Sequence, residues 1–149
     1  MSAAGRRFAV IAARWNEAHV QRLVDAALDT LRRQGARDED VVVTWVPGSF
    51  ELPVAAAWAA DSGGFDAVLA FGVVIRGETE HFRLVADGAA QGLMRVALDT
   101  GVPVLNGVLA VNDAAQAEAR CGGSHGNTGA QTALAALAMA ELHSGGPGR

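Results

Sequence analysis

Phe71-Gly72-Val73-Val74-Ile75-Arg76-Gly77-Glu78-Thr79-Glu80-His81-Phe82 is the stretch on which the reading of this chain turns. From Phe65 to Ile75 the residues are almost continuously apolar and end in β-branched Val and Ile, which suits a parallel strand covered on both faces. The character then changes within one residue. Arg76, Glu78, Thr79, Glu80 and His81 gather around Gly77, and the next apolar positions (Phe82, Val85, Ala89, Leu93, Val96, Ala97) recur at helical spacing. In open α/β sheets ligands bind outside the carboxyl ends of the strands. A cation, a hydroxyl and an imidazole at such an end form a candidate site for an anionic substrate.

Working outward, the same strand-then-helix grammar repeats. Arg7 to Ala13 reads as a first strand, and Asn16 as the N-cap of a helix through Val20, Leu23, Val24, Ala27, Leu28 and Leu31 that stops near Gly35. Asp38-Glu39-Asp40 reads as a solvated turn and Val41 to Val46 as a second strand. Pro53 fits only the first turn of a helix, which places the start of helix two around Ser49 to Glu51 and its end at Gly63-Gly64. Gly101 ends helix three. Val104 to Leu109 is a fourth strand, Asn112 caps a short helix from Asp113 to about Arg120, and Gly122-Gly123 terminates it. A last helix starts near Thr128, whose hydroxyl with Gln131 fits a capping box, and runs to about His143.

Four strands each followed by a helix predict an α/β fold: a single-domain, three-layer α/β/α sandwich, doubly wound, around a four-stranded parallel sheet with right-handed crossovers. Residues 7–143 form the domain, 1–6 a flexible N-terminal arm and 144–149 a disordered C-terminal tail. The ends Arg14-Trp15-Asn16, Pro47 to Glu51 and Arg76 to His81 then share one sheet edge, and Asn106-Gly107-Val108 points the same way.

Composition removes several function classes. At 149 residues the chain fits one domain with a sizeable core. No apolar run approaches a membrane span, and the short Phe8 to Ala13 run, broken by Arg14, is a strand rather than a signal peptide, which predicts a cytoplasmic protein. The single Cys121 agrees with a reducing compartment and has no nucleophile motif around it. A net charge of −4 with scattered basic residues gives nucleic-acid binding no support. All twelve basic residues are Arg, so no enzyme lysine is available for Schiff-base chemistry. Metal-ligand spacing is missing, and the glycines around Gly122, Gly126 and Gly129 match no dinucleotide or triphosphate motif.

Each candidate residue has a plain alternative. His81 can move protons near neutral pH, or can be a surface histidine in a first helical turn. Glu51 can bond a polyol or a heterocycle N–H, or can favour a helix N-terminus. Trp15 and Phe50 can sandwich a planar ring, or can be ordinary core. Arg120 can hold a phosphate bidentately, or can complement a helix C-terminus. His19, His125 and His143 read as surface or loop histidines.

Taken together, Ala13-Arg14-Trp15-Asn16, Val46-Pro47-Gly48-Ser49-Phe50-Glu51-Leu52-Pro53, Gly72 to Phe82, Pro103 to Leu109 and Gly126-Asn127-Thr128-Gly129 resemble the 6,7-dimethyl-8-ribityllumazine synthase family over nearly the whole chain. The resemblance implies a flavodoxin-like fold and a transferase of riboflavin biosynthesis. Such an enzyme condenses 5-amino-6-(D-ribitylamino)uracil with L-3,4-dihydroxy-2-butanone 4-phosphate, releasing phosphate and water, with no cofactor or metal. It implies that Trp15 stacks on the pyrimidine ring and that Ser49, Phe50 and Glu51 hold the ribityl chain and ring. Val73, Val74 and Ile75 would give backbone contacts to the pyrimidine. Glu78, through its backbone N–H, with Thr79 and Arg120, would bind the phosphate, His81 would shuttle protons, and Asn106 would close the ring pocket from a neighbouring subunit. A substrate that brings its own amine explains how a chain without lysine can run an imine mechanism.

The resemblance also implies a homopentamer with its sites between subunits. Some members assemble twelve pentamers into a hollow shell of sixty subunits, and riboflavin synthase is a candidate partner. Three departures stand out: Thr128 where the family usually has Lys, Ala110 where Thr is common, and Trp15 for the commoner Phe. The first removes a cation worth roughly 1–3 kcal/mol of phosphate affinity and leaves Arg120 to do more, so an active enzyme with a raised Michaelis constant for the phosphorylated substrate is expected. A lumazine or flavin carrier without catalysis, and a purely structural shell protein, are the rival readings.

Overall fold

The computed structural model describes residues 1–145. Four parallel strands, β1 (Phe8–Ala13), β2 (Val41–Val46), β3 (Ala67–Ile75) and β4 (Val104–Val111), lie in the order β2-β1-β3-β4. Helix α1 (Glu17–Arg33), α4 (Ala114–Arg120) and α5 (Thr128–Gly145) cover one face; α2 (Leu52–Asp61) and α3 (His81–Thr100) cover the other. This is the three-layer doubly wound sandwich that the alternation of strands and helices predicts, and its order reverses between β1 and β3. Among the described residues no helix is long and apolar enough to cross a membrane.

The two central strands show why the sequence chooses this fold. In β1, Phe8, Val10 and Ala12 point into the core beneath α1 and α5, while Ala9, Ile11 and Ala13 point into the core beneath α2. In β3, Ala67, Leu69, Phe71 and Val73 share the first core, and Val68 and Ala70 the second. A period of two with both phases apolar can satisfy itself only between two helix layers. Small residues let the layers close. A Cβ on Gly107 would lie 2.5 Å from the Phe71 ring, and one on Gly129 would lie 2.0 Å from the carbonyl oxygen of Leu23, so α5 presses directly on the backbone of α1.

Several local expectations need correction. Asn16 holds the N-cap position of α1, but it sits in the left-handed region (φ 62°), makes no side-chain capping bond, and sends its amide elsewhere. The Asp38–Asp40 turn is a 3-10 helix in which Asp40 is buried, accepting from Arg37 Nε at 2.9 Å, rather than fully solvated. Asp113, not Asn112, caps α4: its side chain accepts from the backbone N–H of Gln116, whose own side chain accepts from the N–H of Asn112. Asn127, not Thr128, caps α5, accepting from the N–H of Gly129 at 2.7 Å; Thr128 is already helical.

The ends of elements differ as well. β4 runs two residues past Leu109, to Val111. Cys121–Gly123 and Gly126–Asn127 pair as an antiparallel hairpin, β5 and β6, that the glycine-rich sequence does not suggest. Ser144 and Gly145, placed in the expected tail, belong to α5, and residues 146–149 lie outside the described residues. Within the expected arm, Ala3 is buried and its N–H donates to the carbonyl of Gln34, while Arg6 donates to the Ala140 carbonyl and the Ser144 hydroxyl.

The close approach at Gly129 is testable. Gly129→Ala must push backbone against backbone and should cost about 1–3 kcal/mol or more, the scale of overpacking. Gly77→Ala, with no atom within 4 Å of the added methyl group, should stay within about 0.5 kcal/mol. Thermal melts of the two variants compare them directly.

Candidate active site

The carboxyl ends of the strands are held together by backbone. The N–H of Arg14 donates to the carbonyl of Val46 at 2.8 Å, that of Trp15 to Pro47 at 3.2 Å, and that of Arg76 to Val111 at 2.8 Å. The Asn16 amide adds a cross-link, donating 2.7 Å to the carbonyl of Val73 and so tying the turn after β1 to the end of β3. The left-handed conformation is what aims it there; Asn tolerates that region better than most residues, because its short polar side chain can bond locally. Sequence reading missed this role because a polar residue before a helix is more often a cap.

The turn after β2 is built against the same ends. Ser49 is buried, and a Cβ on Gly72 would fall 2.2 Å from its hydroxyl oxygen, so glycine is what lets the serine lie on β3. Phe50 packs beside Gly88 of α3 in the same way. Glu51 folds back until its carboxylate approaches Gly48, makes no capping bond for α2, and forms no hydrogen bond or ion pair among the described residues. Its carboxylate is therefore not used in capping and remains available to accept.

Exposure separates two readings of the aromatic pair. Trp15 is 74% exposed and Phe50 63% exposed, so neither is core in the single chain. Their exposure leaves both rings accessible beside the sheet edge. Val73 is buried, Val74 and Ile75 half-buried, and all three lie at the last rungs of the β3–β4 ladder.

After β3 the backbone enters an exposed turn, Arg76 to Glu80, and His81 opens α3. The His81 N–H donates to the Thr79 hydroxyl at 3.3 Å, which shapes the turn and leaves the exposed imidazole without a hydrogen bond or ion pair among the described residues. Arg76 stacks over Phe82 at 5.5 Å, and Glu80 pairs with Arg83 at 3.2 Å, so Glu78 is the carboxylate of this turn without an ion pair among the described residues.

Two predicted residues stand apart. Arg120 ends α4, in the opposite helix layer, and its Nη1 donates to the carbonyl of Gln116 at 3.1 Å. Asn106 pairs with Ala70 in the middle of β3, about 16 Å short of Ile75 at the usual strand rise. It is exposed on the edge strand, accepting only from the N–H of Val108. Within one chain, then, the structure gathers Trp15, Ser49, Phe50, Glu51 and Val73 to His81 on one edge and leaves Asn106 and Arg120 away from it.

Cys121 is buried, and burial pushes its thiol up from the ordinary range, with Glu118 adding to the shift and Arg22 opposing it. A thiol held in the protonated form is a poor nucleophile. Among the described residues no group of His, Cys, Asp and Glu could hold a metal ion. A surface concavity of about 480 Å³ lies on α3, lined by Ala90, Gln91, Met94, Arg95, Leu98 and Asp99, far along the helix from His81. None of the candidate residues lines it.

Comparison with known proteins bears on what this edge does. The profile of the 6,7-dimethyl-8-ribityllumazine synthase family matches residues 5–144. Proteins of that name from Xanthomonas oryzae pv. oryzae and Stenotrophomonas maltophilia are each 53% identical over 136 residues, 91% of this chain and 88% of theirs. One from Xylella fastidiosa is 50% identical over 139 residues, 93% of this chain and 90% of its own length.

The Asn16 cross-link can be separated from its backbone geometry. Asn16→Ala loses the bond to Val73 and strains a left-handed residue, about 2 kcal/mol in all; Asn16→Gly loses only the bond, about 1 kcal/mol. Chemical denaturation of both should rank them in that order.

Proposed function

The chain belongs to the 6,7-dimethyl-8-ribityllumazine synthase family, and from that premise we propose that it condenses 5-amino-6-(D-ribitylamino)uracil with L-3,4-dihydroxy-2-butanone 4-phosphate, releasing phosphate and water, as a transferase of riboflavin biosynthesis. The observation that carries the reading is identity of half or more over nine-tenths of the chain to proteins of that name. The gathering of the motif residues on one sheet edge supports it.

The roles are those that the family resemblance implies, and the chemistry accommodates them. The pyrimidine brings the amine, which attacks the ketone to form an imine with loss of water; phosphate is then eliminated, and the ribitylamino nitrogen attacks the remaining carbonyl and closes the ring with loss of a second water. Protein groups need to orient, to bind a dianion and to move protons. Trp15 stacks on the pyrimidine, and Ser49, Phe50 and Glu51 hold the ring and ribityl chain, with Val73, Val74 and Ile75 offering main-chain groups. Glu78 through its N–H, Thr79 and Arg120 take the phosphate, and His81 transfers protons. An exposed imidazole at a helix start, with no hydrogen bond or ion pair among the described residues, is free to do so.

Asn106 serves the site of a second copy in this reading, because its mid-strand position on an exposed edge keeps it from its own. A homopentamer supplies such a neighbour. Val54 and Trp58 on α2 and Leu84, Met94 and Leu98 on α3 are exposed in the single chain, an apolar face of the kind that subunits bury. Closure into a shell of sixty subunits, and association with riboflavin synthase, extend the same proposal. The free thiol of Cys121 fits the reducing cytoplasm as its compartment.

Mixing the purified protein with both substrates should give lumazine absorbance and phosphate release that require both. Tight binding of the ribityl pyrimidine without turnover would instead make this a carrier, a reading that Thr128 alone favours. His81→Ala should slow turnover about 100-fold, the scale of general acid–base catalysis, and unchanged turnover would remove its proton-transfer role. Arg120→Ala should raise KM about tenfold or more for the phosphorylated substrate alone. Static light scattering should report a pentamer or its closed shell, and Trp58→Asp should shift the mass downward.

A further inference from the structure

Arg120 is the sole Lys or Arg between Arg95 and Arg149, so the segment from α4 to α5 has one permanent cation with which to meet a phosphate. The helix that carries it, α4, has seven residues. So short a helix has no orientation of its own, and its roll about its axis is set by what holds it. Ala117 is buried in the core and fixes which face points inward.

A second hold lies on the side away from Arg120. Glu118 reaches across to α1, where Oε1 pairs with Arg22 Nη1 and Oε2 lies 3.3 Å from His19 Nδ1. Residues two apart on a helix project about 200° from each other, so a pull on Glu118 toward α1 turns Arg120 the opposite way. Arg22 does more than pair. Its guanidinium lies against Gly122, where an added Cβ would meet Nη2 at 3.4 Å, and its carbonyl accepts from Asn127 Nδ2 at 3.4 Å. Asn127 uses its other side-chain atom to cap α5. One residue of α1 therefore touches α4, the β5–β6 hairpin and the cap of α5. The hairpin in turn folds onto the end of α4, with the His125 N–H donating to the Ala119 carbonyl at 2.8 Å.

We propose that Arg22, acting through Glu118, is a positioning residue that sets the direction of Arg120 toward the phosphorylated substrate. It rests on the assignment of Arg120 to the phosphate. The side chains of Arg22 and Glu118 are 41% and 58% exposed, and ion pairs that open to water contribute little to stability. The pair is therefore better explained by what it aims than by what it holds together.

Steady-state kinetics on the assembled enzyme test this with Arg120→Ala, Arg22→Ala, Glu118→Gln, Arg22→Glu and the charge-exchanged pair Arg22→Glu with Glu118→Arg. Arg22→Ala and Glu118→Gln should each raise KM for the phosphorylated substrate about three- to tenfold, leaving kcat and KM for the pyrimidine within about twofold and the melting temperature close to wild type. The exchanged pair should recover most of the loss relative to Arg22→Glu alone. If Arg120→Ala raises that KM while Arg22→Ala and Glu118→Gln leave it unchanged, the positioning role is wrong and the phosphate assignment stands. If Arg120→Ala itself leaves it unchanged, the phosphate assignment falls and the positioning role with it. A uniform loss across both substrates, or a lowered melting temperature without recovery in the exchanged pair, would make the network structural and overturn the proposal.

Discussion

Burial of β1 and β3 on both faces is the constraint from which the rest follows. A strand enclosed by two helix layers must present apolar side chains in both phases, and its polar chemistry has only the ends of the ladder to occupy. β3 obeys this to its last residue: Ala67 to Ile75 carries no polar side chain, and Arg76 follows at once. The concentration of charged and hydroxyl groups after Ile75 is thus the other side of core formation. What the enclosed strands can offer beyond the ladder is backbone, as the Val73 carbonyl does in accepting from Asn16.

Close approach is the second half of the design. Gly72 beneath Ser49, Gly88 beside Phe50, Gly92 beside Pro53 and Gly107 beside Phe71 each remove a methyl group where the neighbouring side chain must lie. Three of these four hold the turn after β2 or the helix behind it. The turn that carries Ser49, Phe50 and Glu51 is therefore located by missing side chains more than by hydrogen bonds. The sequence shows the glycines plainly and does not show what each one admits, because the partner lies tens of residues away.

That distinction explains what could be read in advance. Strands and helices were legible because their apolar periodicity is local, and the shared edge because parallel strands must end together. Caps were misread by one residue at α4 and α5, where Asn112-Asp113 and Asn127-Thr128 place two capable side chains in succession and only geometry chooses. Asp40 was misread because its burial depends on Arg37 and on Arg7, 33 positions earlier, whose Nε lies 3.8 Å away. The β5–β6 hairpin offers too few residues for a period of two to register. Among the candidate residues, Trp15, Ser49, Glu51 and His81 were legible in chemical type and in their place on the sheet edge. Arg22 and Glu118 carried neither, since a helix-face arginine and glutamate look alike wherever they fall.

Asn106 is where local and assembled logic part. Alternation along β4 puts Leu109 and Val111 into the first core and Asn106 and Ala110 on the other face. There they stay exposed while Val104 and Val108 pack against the second core, so the exposure of Asn106 follows from the register that fills both cores. Sliding β4 by one residue to bring Asn106 inward would bury a polar amide and drive every inward side chain to the other face. No rearrangement of the single chain moves it five rungs to the carboxyl edge. If Asn106 closes a ring pocket, that pocket belongs to another copy, and a site divided in this way makes activity depend on subunit concentration. On the proposed assembly, the exposed Trp15 and Phe50 would have a physical account in the same terms, as half of an interface that becomes a binding pocket when the second half arrives.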